Sequence, residues 1–224
     1  MLPVEQKAMT SDITRKIDDA GVIAVLVIDE LKYANPLAEA LLAGGLNTIE
    51  LTLRTPVALD AAITIKKNFP EMNLGIGTVL TVEQVKAIAD IGGDFAVAPG
   101  CNPKIIESAQ KYGVSFAPGI STASELETAV EMGCRVLKFF PAEPLGGMAY
   151  LNSMVAPYQY LGLKFIPLGG LNITNARRYL ESELITAIGG SWVAKQSLIQ
   201  SESWQQITAN SIEINSLISL IKNK

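Results

Sequence analysis

Short β-branched and apolar runs alternate with amphipathic stretches from one end of the chain to the other. The runs Val22–Ile28, Thr48–Leu53, Leu74–Val79, Phe95–Ala98, Ser115–Pro118, Val136–Phe140, Phe165–Leu168 and Thr186–Gly189 predict strands. Between them Pro36–Ala43, Pro56–Asn68, Thr81–Ile91, Pro103–Tyr112 and Thr122–Met132 predict helices. Thr81 with Gln84 and Thr122 with Glu125 have the spacing of a capping box, and Pro36, Pro56 and Pro103 suit a first helical turn. Glycines follow several ends, at Gly44-Gly45, Gly92-Gly93, Gly113 and Gly133, where helix termini favour them. Asp12–Ala20 predicts an extra N-terminal helix. Ser203–Lys224, with Trp204, Ile207, Ile214, Leu217 and Ile221 at helical spacing, predicts a closing helix on the outside.

Strands separated by helices at this spacing predict a parallel α/β sheet. Eight such units predict a single (β/α)8 TIM barrel over residues 1–224, with its core at about 21–200 and its closing helix at 203–224. A doubly wound open sheet would usually carry GxGxxG after its first strand, and no such turn stands there. No Pro/Ser-rich linker divides the chain.

Composition narrows the function classes. With 49% hydrophobic residues in 224, one large core is affordable. A net charge of −4 without a dense basic cluster argues against a nucleic-acid partner. Histidine is absent, which removes His-ligated zinc and every Ser-His or Cys-His dyad. Cys101 and Cys134 form no CxxC pair and read as reduced thiols. Met1–Ser11 is polar, and no apolar run reaches the roughly 18 residues of a membrane helix, so a cytoplasmic protein without membrane contact is expected.

Two polar residues break the apolar pattern. Lys138 stands inside Val136-Leu137-Lys138-Phe139-Phe140-Pro141. A buried ammonium without a partner is costly, and a neutral lysine amine is a nucleophile for ketones, giving a Schiff base. In Thr48–Arg54 the apolar Ile49, Leu51 and Leu53 alternate with Glu50, Thr52 and Arg54. In a barrel covered on both faces, the polar set must face the lumen. Glu50 then supplies the proton carrier that imine chemistry needs. The pair points to an aldolase. Thr78, after Gly75-Ile76-Gly77, can offer a hydroxyl to a carboxylate at the barrel mouth. Gly169-Gly170 and Gly189-Gly190-Ser191 follow strands seven and eight, where barrels of this kind receive a phosphate.

At these residues the chain resembles the 2-keto-3-deoxy-6-phosphogluconate (KDPG) and 4-hydroxy-2-oxoglutarate (KHG) aldolase family. The segments that carry the resemblance include Ile49–Thr55, Gly77–Leu80, Pro99-Gly100, Pro118–Thr122, Lys138–Glu143 and Gly189–Trp192. The resemblance implies a class I aldolase on a (β/α)8 barrel, a homotrimer that needs no metal and no cofactor. It implies cleavage of the phosphorylated substrate to pyruvate and glyceraldehyde 3-phosphate, and of 4-hydroxy-2-oxoglutarate to pyruvate and glyoxylate. By the same resemblance Lys138 is the Schiff-base lysine and Glu50 the general acid/base. Arg54 and Thr78 hold the keto-acid carboxylate, Pro99 and Phe140 are apolar walls, and Gly169, Gly170, Gly190 and Ser191 cradle the phosphate. One residue departs: the family's Pro-Thr-Gly-Gly reads Pro167-Leu168-Gly169-Gly170, an isobutyl group in the pocket where a hydroxyl is usual. A phosphosugar isomerase, epimerase or synthase on the same barrel, or a non-catalytic binder of a phosphorylated keto acid, would use the same phosphate grip. Neither needs both Lys138 and Glu50.

Overall fold

The structure, a computed structural model, describes residues 11–222. The polar segment before Ser11 and the last two residues of the span Ser203–Lys224 expected to form the closing helix lie outside the described residues. Nine strands occur among the described residues, where the apolar pattern predicts eight. They are β1 (Val22–Leu26), β2 (Thr48–Thr52), β3 (Asn73–Gly77), β4 (Phe95–Val97), β5 (Phe116–Ala117), β6 (Gly119–Ile120), β7 (Val136–Phe139), β8 (Lys164–Pro167) and β9 (Ile188–Gly190). All pair in parallel, in a six-stranded sheet ordered β5-β4-β3-β2-β1-β9 and a three-stranded sheet ordered β6-β7-β8. The extra strand comes from Pro118. The expected single strand Ser115–Pro118 stops at Ala117 and resumes at Gly119, because proline has no N–H to give the ladder. Its carbonyl still accepts from Lys138 N at 2.9 Å. On the other flank a parallel bridge joins Phe165 to Ile185, just ahead of β9. The last strand also begins and ends later than expected, so Gly190 sits inside it, not in the loop after it.

The helices are α1 (Ser11–Ala20), α2 (Ala34–Ala43), α3 (Ala58–Asn68), α4 (Val82–Asp90), α5 (Pro103–Tyr112), α6 (Ala123–Glu131), α7 (Gly147–Val155), α8 (Ile173–Leu180), α9 (Gln196–Gln200) and α10 (Trp204–Lys222). Thr81 and Gln84 close a capping box on α4, as Thr122 and Glu125 do on α6. Each such cap contributes about 1 kcal/mol by satisfying otherwise orphaned N–H groups. Asn102 caps α5, and Gly113 ends it in the left-handed conformation. A third box, Asn172 with Asn175 on α8, uses residue types that the Thr-to-Glu/Gln spacing does not reveal.

The buried apolar residues divide into two clusters. One lies between the strands and the surrounding helices and includes Ile49, Leu51, Leu137 and Phe139. The other fills the concave side of the curled sheet, with Ile23, Phe95, Val97, Val136 and Ile166. Ile13 and Ile17 of α1 belong to this inner cluster, so α1 stops one end of it. Thr186 Oγ1 donates to Asp18 Oδ1 at 3.1 Å and fixes α1 there. Outside, α10 lies so close to the end of α2 that a Cβ on Gly44 would come within 2.3 Å of Ser211 Cβ. Asn215 Nδ2 donates to the Gly44 carbonyl at 2.8 Å. No described helix is long and apolar enough to cross a membrane.

Candidate active site

Alternation along β2 and β7 builds the centre of the site. Ile49 and Leu51 turn to the helix layer, which sends Glu50 and Thr52 to the concave side. On β7 Leu137 and Phe139 face outward, and Lys138 faces inward between Val136 and Phe140. Lys138 is 5% exposed and Glu50 1%. Their side chains meet: Lys138 Nζ donates to Glu50 Oε1 at 2.9 Å. The Phe140 ring centroid lies 5.7 Å from the same nitrogen.

A buried ion pair of this kind rarely stabilises a fold, because the desolvation of two charges offsets their attraction. Its chemical value is different. Passing one proton along the hydrogen bond converts ammonium and carboxylate into a neutral amine and a carboxylic acid without moving charge through apolar surroundings. Gly77 makes room for this arrangement. A Cβ there would stand 2.0 Å from Glu50 Oε1, so the carboxylate occupies the space a side chain would take.

Around the pair lies a cavity of about 240 Å³, at the C-terminal ends of the strands. That is smaller than the roughly 300–1,000 Å³ typical of drug-sized ligands, and suited to a small metabolite. Arg54 reaches it from beyond β2. Its Nε donates to Thr52 Oγ1 at 3.2 Å, and Thr52 Oγ1 donates to the Leu26 carbonyl at 2.9 Å. The guanidinium is thus held by its root, and among the described residues its terminal amino groups are left for an anion. Thr78, on the same wall, has φ of 60°. A β-branched residue in the left-handed region costs on the order of 1–3 kcal/mol and is found where a site over-determines the backbone.

Pro99, Phe140 and Leu168 supply apolar wall. The Leu168 side chain covers Gly189, where a Cβ would come within 2.2 Å of Leu168 Cγ. Gly169 and Gly170 line the mouth with φ of 97° and 81°, and Ser191 joins them across the opening. Gly190 does not reach the cavity wall. It is buried in β9 beneath the Trp192 ring, and its neighbour Gly189 lines the cavity instead. Val25 and Leu171 also line the cavity. Alternation along β1 carries a signal for Val25; for Leu171 the sequence offers none, because it stands in an irregular loop.

Fold and site together bring an amine and a carboxylate into contact on the buried, concave side of a parallel α/β sheet, an arrangement suited to a carbon–carbon lyase. Comparison with known proteins agrees. A family model for KDPG and KHG aldolase matches residues 13–210, and the chain belongs to that family. The 2-dehydro-3-deoxy-phosphogluconate aldolase of Treponema pallidum (strain Nichols) is 39% identical over 193 residues, 86% of this chain and 91% of the relative. Among solved structures, the KDPG aldolase of Legionella pneumophila, with pyruvate captured at low pH as a covalent carbinolamine intermediate, superposes with a TM-score of 0.85 at 37% identity. It covers 89% of this chain and 96% of its own. The 2-keto-3-deoxy-6-phosphogluconate aldolase of Zymomonas mobilis ZM4 with 3-phosphoglycerate gives a TM-score of 0.79 at 38% identity, covering 89% and 95%.

Proposed function

We propose that this protein is a class I aldolase that cleaves 2-keto-3-deoxy-6-phosphogluconate to pyruvate and glyceraldehyde 3-phosphate, with Lys138 as nucleophile and Glu50 as the proton carrier. The observation that carries the reading is the buried 2.9 Å contact between Lys138 Nζ and Glu50 Oε1. Lys138 adds to the C2 ketone, and the carbinolamine loses water with Glu50 supplying the proton. The protonated imine then draws electrons from C3. As Glu50 takes the C4 hydroxyl proton, directly or through a water, the C3–C4 bond breaks. The aldehyde departs and an enamine remains. Protonation at C3 and addition of water release pyruvate and restore the amine. One carboxylate serves every proton transfer, in keeping with a chain that has no histidine.

Arg54 and Thr78 hold the C1 carboxylate in this scheme, fixing the ketone before attack. Pro99, Phe140 and Leu168 exclude water, and Gly169, Gly170 and Ser191 receive the phosphate. 4-Hydroxy-2-oxoglutarate, split to pyruvate and glyoxylate, is a second substrate on this reading, since it uses the same pair and carboxylate grip. An isomerase or a non-catalytic binder would leave the Lys138–Glu50 contact without a purpose.

The reading extends to architecture. The Phe165–Ile185 bridge and the continuity of β5 with β6 across Pro118 support one closed eight-stranded (β/α)8 barrel that forms a single domain. A cytoplasmic homotrimer completes the proposal, and sedimentation analysis tests the trimer. The chemistry is tested by intact mass and peptide mapping after pyruvate and borohydride. The expected result is one reduced pyruvyl adduct, on Lys138; a folded protein that gives none refutes the mechanism.

A further inference from the structure

The loop after β8 is tied back at three successive carbonyls. Leu168 O accepts from Ala142 N at 2.7 Å, and Gly169 O accepts from Glu143 N at 3.0 Å. Gly170 O accepts from Asn175 Nδ2 at 3.1 Å. In a trans peptide the C=O and the following N–H point in opposite directions. Pinning these three carbonyls therefore turns the N–H groups of Gly169, Gly170 and Leu171 the other way. Among the described residues none of the three donates to a protein acceptor. All three residues line the cavity. Consecutive free amides in a concave backbone segment are an anion receptor.

The third tie depends on a side chain. Asn175 Oδ1 accepts from Asn172 N at 2.8 Å, which closes the capping box of α8 and leaves Nδ2 for Gly170. A glutamate, the common residue at this capping position, would serve Asn172 equally and have no N–H for the Gly170 carbonyl. Glu143 holds the other side of the loop. Its Cβ would lie 2.6 Å from a Cβ on Gly170, so the two backbones are in close contact. Its carboxylate is gripped by Arg178 and Tyr179 of α8. The segment that enters α7 and the helix α8 are thereby stapled together with the glycine loop between them.

We propose that Asn175 is a positioning residue: by holding the Gly170 carbonyl it aims the Leu171 amide, the last of the three loop donors, at the substrate's phosphate, and so sets the preference for phosphorylated over unphosphorylated keto acids. The proposal rests on the aldolase reading for its substrates, but its first test does not. Asn175→Asp keeps the acceptor for Asn172 and loses the donor to Gly170, so α8 stays capped. Asn175→Ala loses the donor without adding charge. Calorimetric titration with inorganic phosphate should show binding to the wild type, weakened about two- to tenfold in Asn175→Ala and further in Asn175→Asp. The KM for 2-keto-3-deoxy-6-phosphogluconate should rise by the same factor in each variant, with kcat and the KM for 4-hydroxy-2-oxoglutarate within twofold of wild type.

Phosphate binding that is equal in wild type and Asn175→Ala overturns the proposal, as does wild type that binds no phosphate. A parallel rise in KM for both substrates also overturns it, because that marks general loosening of the pocket. Weakened phosphate binding in variants of a protein that cleaves neither substrate would sustain the positioning role and defeat the aldolase reading instead.

Discussion

Gly77→Ala separates what the fold needs at the centre of the site from what the chemistry needs. The new Cβ would lie 2.0 Å from Glu50 Oε1 and 2.6 Å from Glu50 Cγ and Cδ. Non-bonded carbon and oxygen do not approach below about 3 Å, so the carboxylate must retreat by about 1 Å. The Lys138–Glu50 separation of 2.9 Å then opens to roughly 4 Å, beyond hydrogen-bond range. A displacement of that size at a reacting group costs about 100-fold in rate. The fold yields more cheaply, because the clash falls on the far part of a side chain. Overpacking of this kind costs about 1–3 kcal/mol, and a chain of this size loses roughly 2–4 °C of Tm per kcal/mol. We expect kcat to fall about 100-fold in a pyruvate-release assay, with a Tm drop of no more than about 12 °C. Gly100→Ala is the control, since a Cβ there meets nothing within 4 Å. A Gly77→Ala enzyme whose kcat stays within threefold of wild type would refute the argument that this glycine makes room for Glu50.

Two further predictions concern titration. Burial alone would raise the Glu143 carboxyl, but hydrogen bonds from Tyr179 and Arg178 outweigh it and hold the group below its usual value of 4.5. A depressed carboxyl stabilises the fold above its unfolded pKa and loses that contribution as pH falls through the folded one. Arg178→Met should therefore lower Tm most at pH 7 and by progressively less as pH falls below 4.5; a difference that does not vary with pH would contradict the pairing. Burial, then the neighbouring Cys101, pushes the Cys134 thiol up to about 12. At pH 8 its thiolate fraction is on the order of 1 in 10,000, so iodoacetamide should spare Cys134 in the native protein and label it in urea. Labelling of native Cys134 at the rate of a free cysteine would show that its surroundings are open.

What the sequence reveals is local and periodic. The two-residue alternation of Thr48–Arg54 is enough to send Glu50 and Thr52 one way and Ile49 and Leu51 the other. Lys138 stands out for the same reason, a charge in an apolar run. The capping boxes at Thr81 and Thr122 are legible because both partners lie within one turn. The rest depends on the third dimension or on weak signals. The break at Pro118 is foreseeable in kind, but the resumption at Gly119 depends on the neighbouring β7. Helix α7 starts from Gly146 and Gly147, both left-handed, with no capping side chain to mark it. Arg178 and Tyr179 are more than 30 residues from Glu143, and nothing in either segment names the other. The left-handed Thr78 runs against the preference of its own side chain, so propensity argues away from what the site imposes.

Ile13 and Ile17 close the floor of the interior with apolar side chains. Among the described residues the cavity is thus backed by apolar side chains at the end opposite its glycine loop. On the proposed reading, with the phosphate received at Gly169 and Gly170, the aldehyde half of the substrate would lie outward of the carbon bonded to Lys138. Departure would then be ordered by position as well as by bonding, the aldehyde leaving by the side on which its phosphate is held. On that reading a helix far from the reacting atoms bears on the traffic of the reaction by filling the back of the room.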